Sequence, residues 1–170
     1  MKGFELEFVN ECIFRLDENP PRIEKCLNLL NEKEIWIRPN ESSNSIGNLI
    51  LHLCGNIRQY AISSLGNKPD VRERDLEFEA RNGLSKVQLL QMFNQTIHEA
   101  KEVIYSLNTE DWLRKRTVQG FVFSGIGILI HVVEHLSYHT GQIAFFTKDL
   151  KNKPLGFYDE LDLNLKNESN

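Results

Sequence analysis

Three of the five histidines in this 170-residue chain, His131, His135 and His139, recur at four-residue intervals within HVVEHLSYHTGQIAFF. At 3.6 residues per turn they form one stripe down one side of a helix. The rest of that helix is almost wholly apolar, and polar rings there cost free energy unless something holds them. A metal ion is the first candidate. One ion cannot take all three, because His131 and His139 stand about 12 Å apart along the axis at 1.5 Å per residue, whereas Zn–N bonds are about 2.0–2.1 Å. An ion therefore uses His131 with His135, or His135 with His139, and needs further ligands. Elsewhere the chain offers His52, in the apolar setting LILHLCGN, and His98, in the charged QTIHEAKE, which reads as solvated.

The elements that must position these groups are helical almost throughout. Apolar residues recur every three or four positions from Phe4 to Leu30 (Phe4, Phe8, Cys12, Leu16, then Ile23, Cys26, Leu27, Leu30), with Asn19-Pro20-Pro21 expected to kink or split this first helix. A loop follows through 38–42. The second helix opens at Asn44 or Ser45, both good N-caps, and runs to Leu65, where Gly66-Asn67-Lys68-Pro69 stops it. The charged stretch to Gly83, containing VRERDLEFEARN, is too long for a tight turn and reads as a crossover. Ser85 with Gln88 forms a capping box for the third helix, whose buried face is Leu89, Met92, Phe93, Ile97 and Ile104. A second long connection from Asp111 to Phe123 includes TVQGFVF, which can pair briefly as strand. Ser124 caps the last helix, ending near Lys148, and a polar tail, 151–170, lies on the surface with Phe157-Tyr158 docking it. The expectation is all-α: a four-helix bundle over 1–150 with a long crossover between helices two and three.

Topology helps to choose the histidine pair. If the charged segment is a crossover, helices two and three run parallel and the last helix runs back against them. His52 then faces the region of His139 rather than His131, which favours His52, His135 and His139.

The pattern HLCGN in the second helix with HLSYHTGQI in the last resembles the DinB superfamily of bacterial four-helix-bundle proteins. SIGNLILHLCGNIRQYAISSLG followed by PDVRERDLEFEAR is similar to one uncharacterised subgroup of it. The resemblance runs from about Glu5 to Thr147. It implies one divalent ion held by His52, His135 and His139, with Gly141 and Gln142 as the glycine and glutamine of the motif. Members include thiol-dependent S-transferases and isomerases, and many have no known activity.

Three neutral imidazoles leave an ion's charge uncompensated and a coordination position open, the catalytic rather than the closed arrangement. Water there becomes hydroxide near neutral pH, or a small thiol is kept as thiolate. The donor set accepts zinc, nickel, copper or iron; zinc and nickel are expected. Asn56, Tyr138 and Gln142 each sit about one turn from a ligand and are candidates to orient it or to touch substrate. His131 is either a core histidine or a further group of this kind. Arg72, Arg74 and Arg81 are candidates for an anionic substrate if the crossover folds over the site, against the alternative of a salt-bridged surface.

His131-Val-Val-Glu134-His135 also matches the H-x-x-E-H pattern of inverted zinc peptidases, with Glu134 as base. Those enzymes need a distal acidic ligand and a much larger fold. A non-catalytic, dimerising metal- or ligand-binding bundle is the other alternative. With 41% hydrophobic and 26% charged residues the composition is that of a globular domain. A net charge of −4 gives no footing for nucleic acid. No apolar run reaches the ~18 residues of a membrane span, and charge within MKGFELEF is unlike a signal peptide. Three cysteines without CxxC spacing fit buried thiols in a reducing compartment. The expectations are a cytoplasmic homodimer binding one divalent ion per chain and acting on a small molecule, with thiol transfer or hydrolysis as the reaction type.

Overall fold

The structure, a computed structural model, describes residues 3–167. The ends of the sequence expectations, 1–2 of the charged N-terminal stretch and 168–170 of the polar tail, lie outside the described residues.

The first helix is split as the prolines require: α1 (Phe4–Asp17) gives way at Glu18 to α2 (Asn19–Leu29). Pro20 and Pro21 fall in the first turn of α2, where their missing N–H groups have no intrahelical partner to lose. The buried stripe of α1 is Val9, Cys12, Ile13 and Leu16, a spacing of i, i+3, i+4, i+7. Phe4, expected in that stripe, is exposed: at five residues before Val9 it is rotated off the face.

α3 (Ile46–Ile57) opens on a reciprocal cap in which Ser45 Oγ accepts from the Asn48 N–H and Asn48 Oδ1 accepts from the Ser45 N–H. It continues as a π-helix over Arg58–Leu65, closed by i to i−5 bonds from Gly66 to Ala61 and from Lys68 to Ser63. Asn67, at φ 51°, then turns the chain out of the helix. The crossover holds a short helix, α4 (Arg74–Glu79), which the charge-dense sequence does not announce. Buried Asn48 pins it: Nδ2 donates to the carbonyls of Glu77 and Ala80, each at 2.8 Å, while Arg38 donates to the carbonyl of Phe78. The crossover therefore lies against α3 rather than looping into solvent.

Ser85 caps α5 (Lys86–Ser106) in a box with Gln88. After α6 (Thr109–Leu113), β1 (Lys115–Val118) and β2 (Phe121–Ser124) form the short antiparallel hairpin, with Val118 opposite Phe121. Ser124 accepts from the Gly127 N–H to start α7 (Gly125–Lys151), which ends at left-handed Asn152. Leu155 is buried beyond it, and the tail docks on α2 through Lys25 to the Gly156 carbonyl and Arg22 to Tyr158 Oη.

Contacts between helices give their directions. Arg58 pairs with Glu99 and Gly66 abuts Val103, so the second bundle helix (α3 with its π extension) and α5 run parallel, as a crossover demands. His52 meets His135 and Asn56 meets His131, so α7 runs antiparallel to α3. Asp17 pairs with Lys101 and Leu30 with Lys86, so the first pair of helices opposes α5. The result is an all-α four-helix bundle with one long crossover. Among the described residues no helix is long and apolar enough to cross a membrane.

Candidate metal centre

α3 and α7 bring His52, His135 and His139 to one point. Their available ring nitrogens all lie within 4.8 Å of one another, and Nε2 of His52 stands 3.1 Å from Nε2 of His135. A tetrahedral ion with bonds near 2.05 Å separates its nitrogens by about 3.3 Å. His52 is buried on α3, while His135 and His139 are half-buried on α7.

The outer nitrogens decide which ones face inward. His52 Nδ1 donates to Glu77 Oε2 at 2.9 Å, and His139 Nδ1 donates to Gln142 Oε1 at 2.7 Å. With Arg72 Nη2 also 3.1 Å from His52 Nδ1, both rings are held by their outer nitrogens, which leaves Nε2 as the nitrogen each can turn to a cation. His135 Nδ1 is buried with no partner, and its Nε2 meets only another imidazole. Nitrogens that close are held by one shared proton or by one shared cation. Burial, then the neighbouring charges of His139, His52, His131 and Arg72, push His135 down to about 3. Burial lowers His139 and His131 as well. At neutral pH these rings are uncharged, as metal ligands must be.

Glu77 was not singled out from sequence. It reaches His52 from α4 and carries a bidentate pair from Arg72, Nε to Oε1 at 2.7 Å and Nη2 to Oε2 at 2.8 Å. Burial alone would raise its pKa, but the bonds from Arg72 and His52 outweigh this and hold it below the usual carboxylate range. The Arg72 side chain is buried and committed to Glu77, Gln59 and the Nδ1 edge of His52, leaving it no fork for a substrate anion. Arg74 covers the Phe78 ring, and Arg81 donates to the carbonyls of Phe78, Glu79 and Ala80. The approach of Glu77 requires bare backbone at Gly55, where a Cβ would overlap the Glu77 carboxylate. A glycine inside an apolar helix costs up to about 1 kcal/mol, which was the available signal.

The remaining candidates divide. His131 stacks on Tyr60 at 4.0 Å between ring centres, and its Nε2 accepts from Asn56 Nδ2 at 3.2 Å. The π-helix carries Tyr60, whose Oη donates to Gln119 at the hairpin tip. His131 thus adjoins His135 without joining the three, and Glu134 is exposed; the H-x-x-E-H arrangement does not assemble. Tyr138 is exposed, its ring edge-on to His139 at 4.9 Å. His98 is solvated and faces Glu102.

No cysteine serves as a nucleophile here. Cys12, Cys26 and Cys54 are buried; burial pushes Cys54 up to about 12 and Cys12 to about 11, and raises Cys26. Native protein at pH 7.5 is expected to react with Ellman's reagent only on the timescale of unfolding, releasing three equivalents once denatured. Any thiol titrating within seconds would contradict this.

Comparison with known proteins agrees with this architecture. The family described as "Protein of unknown function (DUF1572)" matches residues 3–157. Among solved structures, the DinB-like protein YjoA of Bacillus subtilis superposes with a TM-score of 0.66 at 14% identity, over 87% of this chain and 97% of that one. At that identity the likeness speaks to the fold. No curated protein matches the sequence. The chain belongs to the family of unknown function DUF1572, on a DinB-like four-helix fold.

Proposed function

We propose that the protein binds one divalent ion per chain, zinc or nickel, through His52, His135 and His139 and uses it on a small molecule, by thiol transfer or hydrolysis. The observation that carries this is the convergence of the ring nitrogens of His52, His135 and His139 within 4.8 Å, with Glu77 on the outer nitrogen of His52 and Gln142 on that of His139. When bound, the ion would supply Lewis-acid polarisation of a water or a thiol. The chain's own contribution is orientation and charge. Arg72 and Glu77 cancel, and burial lowers the pKa of His135 and His139, so the surroundings offset little of the ion's charge. Glu77 is saturated by Arg72 and His52 and is not free to shuttle a proton. With every cysteine buried, the nucleophile must come from outside, as water or a low-molecular-weight thiol. Asn56 and Tyr60 hold the His131 ring at the edge of the centre, and burial lowers its pKa. A homodimeric, cytoplasmic enzyme is the setting we infer.

Elemental analysis of protein purified without a histidine tag tests the site. About one ion per chain is expected, lost in His139→Ala and kept in His131→Ala. The opposite pattern would support the H-x-x-E-H pair. Metal without metal-dependent turnover of thiols with electrophiles, or of esters and amides, would favour a non-catalytic binder.

A further inference from the structure

A cleft of about 650 Å³ runs along the outer face of α7, closed on its far side by the loop 39–44. It lies within the usual size of small-molecule sites. Its inner wall reaches the metal centre, because Gln142, which fixes the His139 ring, is part of its lining.

Two features of the wall say what the cleft takes. The first is Gly141, which lines the cleft inside a 27-residue helix. A Cβ added there would meet no atom of the chain within 4 Å. Nothing in the fold requires the glycine, yet it costs helix stability relative to alanine. The open backbone it leaves, flanked by Tyr138 and Phe145 one turn to either side, gives a flat or extended apolar group a place to lie. Both rings are exposed, whereas Leu49 and Phe146 form a buried floor. The second feature is charge. Asp149 is the one charged residue lining the cleft, and among the described residues it forms no ion pair. Polar Ser42, Ser43 and Asn44 face it from the loop. No lysine or arginine lines the cleft, so a carboxylate or phosphate would enter beside Asp149 with nothing to neutralise it. An ammonium group meets a carboxylate and aromatic faces together, both of which favour a cation.

We propose that this cleft binds a small organic amine with an aromatic or alkyl body, its ammonium at Asp149 and its body across Gly141 between Tyr138 and Phe145. That its occupant is the substrate of the three-histidine centre rests on the function proposed above; the amine preference rests on the cleft alone.

Calorimetric titration of the full chain with phenethylamine and, separately, phenylacetate tests it, each with metal-loaded and with chelator-treated protein. Phenethylamine is expected to saturate one site per chain and to bind about tenfold or more tighter than phenylacetate. Asp149→Asn should erase the discrimination, and Gly141→Leu should block both compounds while leaving metal content unchanged. Absence of saturable amine binding, equal affinity for the two probes, or full binding in Gly141→Leu would overturn the proposal. So would a Gly141→Leu variant whose only change, by light scattering, is its oligomeric state, which would make the face an interface between copies. Amine binding in protein that takes up no metal would support the cleft while removing the metal reading.

Discussion

His135→Ala, like His139→Ala, is expected to bring metal content from about one ion per chain to background. The three rings are mutually adjacent, with centres 4.9 Å apart for His52 and His135, 4.5 Å for His135 and His139, and 4.9 Å for His52 and His139. Without it only two of the three imidazoles remain, one on each of two separate helices. An ion present at a hundredfold excess over its dissociation constant stabilises the fold by about 2.7 kcal/mol. In a chain of this size that corresponds to roughly 5–11 °C in Tm. Adding the metal should raise the melting temperature of the unmodified protein by this order and leave His135→Ala unmoved.

The same substitution should change how the metal-free protein responds to acid. His135 titrates near 3 in the folded chain against an ordinary 6.5, so the unfolded state takes the proton first. The stability tied to its neutral form is complete above about pH 6.5 and drains away as pH falls from there toward 3. His139 and His131 are lowered in the same direction. Metal-free unmodified protein is therefore expected to lose urea stability between pH 7.5 and pH 5, and His135→Ala to lose less. Equal pH slopes in the two proteins would sink this account.

Glu77→Ala is expected to destabilise the protein by about 3–5 kcal/mol, the cost of leaving a buried charge without its partner. The orphan is Arg72, whose side chain is 3% exposed. Freed of its acceptor, the His52 ring is no longer held by the carboxylate, and metal affinity should fall about 10–100-fold. Gly55→Ala separates the two effects. Alanine raises helix propensity by up to about 1 kcal/mol, but its methyl group occupies the space of the Glu77 carboxylate. Metal affinity, measured by competition with a chelator, should drop in both variants, with a smaller loss of urea stability in Gly55→Ala. Unchanged affinity in Gly55→Ala would show that the carboxylate does not need its place beside His52.

These residues mark where the sequence stopped being legible. The histidine stripe, the caps at Ser45, Ser85 and Ser124, and the proline break after Glu18 are local, each specified within a few residues. The pairing of His52 with His135 and His139 followed from one topological step, the crossover. Glu77 did not follow. It is one of several acidic residues in VRERDLEFEAR, and what distinguishes it is the bare backbone of Gly55, on a helix 22 positions earlier. For the same reason Arg72 suggested a substrate anion when its charge is spent inside the fold. The π-helix was equally hidden, since its Tyr60 is positioned against His131 and the hairpin, contacts far away in the chain.

The clamp that Asn48 and Arg38 place on α4 has a kinetic consequence. The Glu77 backbone cannot withdraw from His52 alone: its carbonyl and those of Phe78 and Ala80 are tied to these two side chains. Withdrawing it means lifting the segment, an opening that breaks several bonds at once. For the His52 ring, release by that route and opening of the segment become one event, so how long the ring keeps its orientation depends on how often α4 lifts from α3.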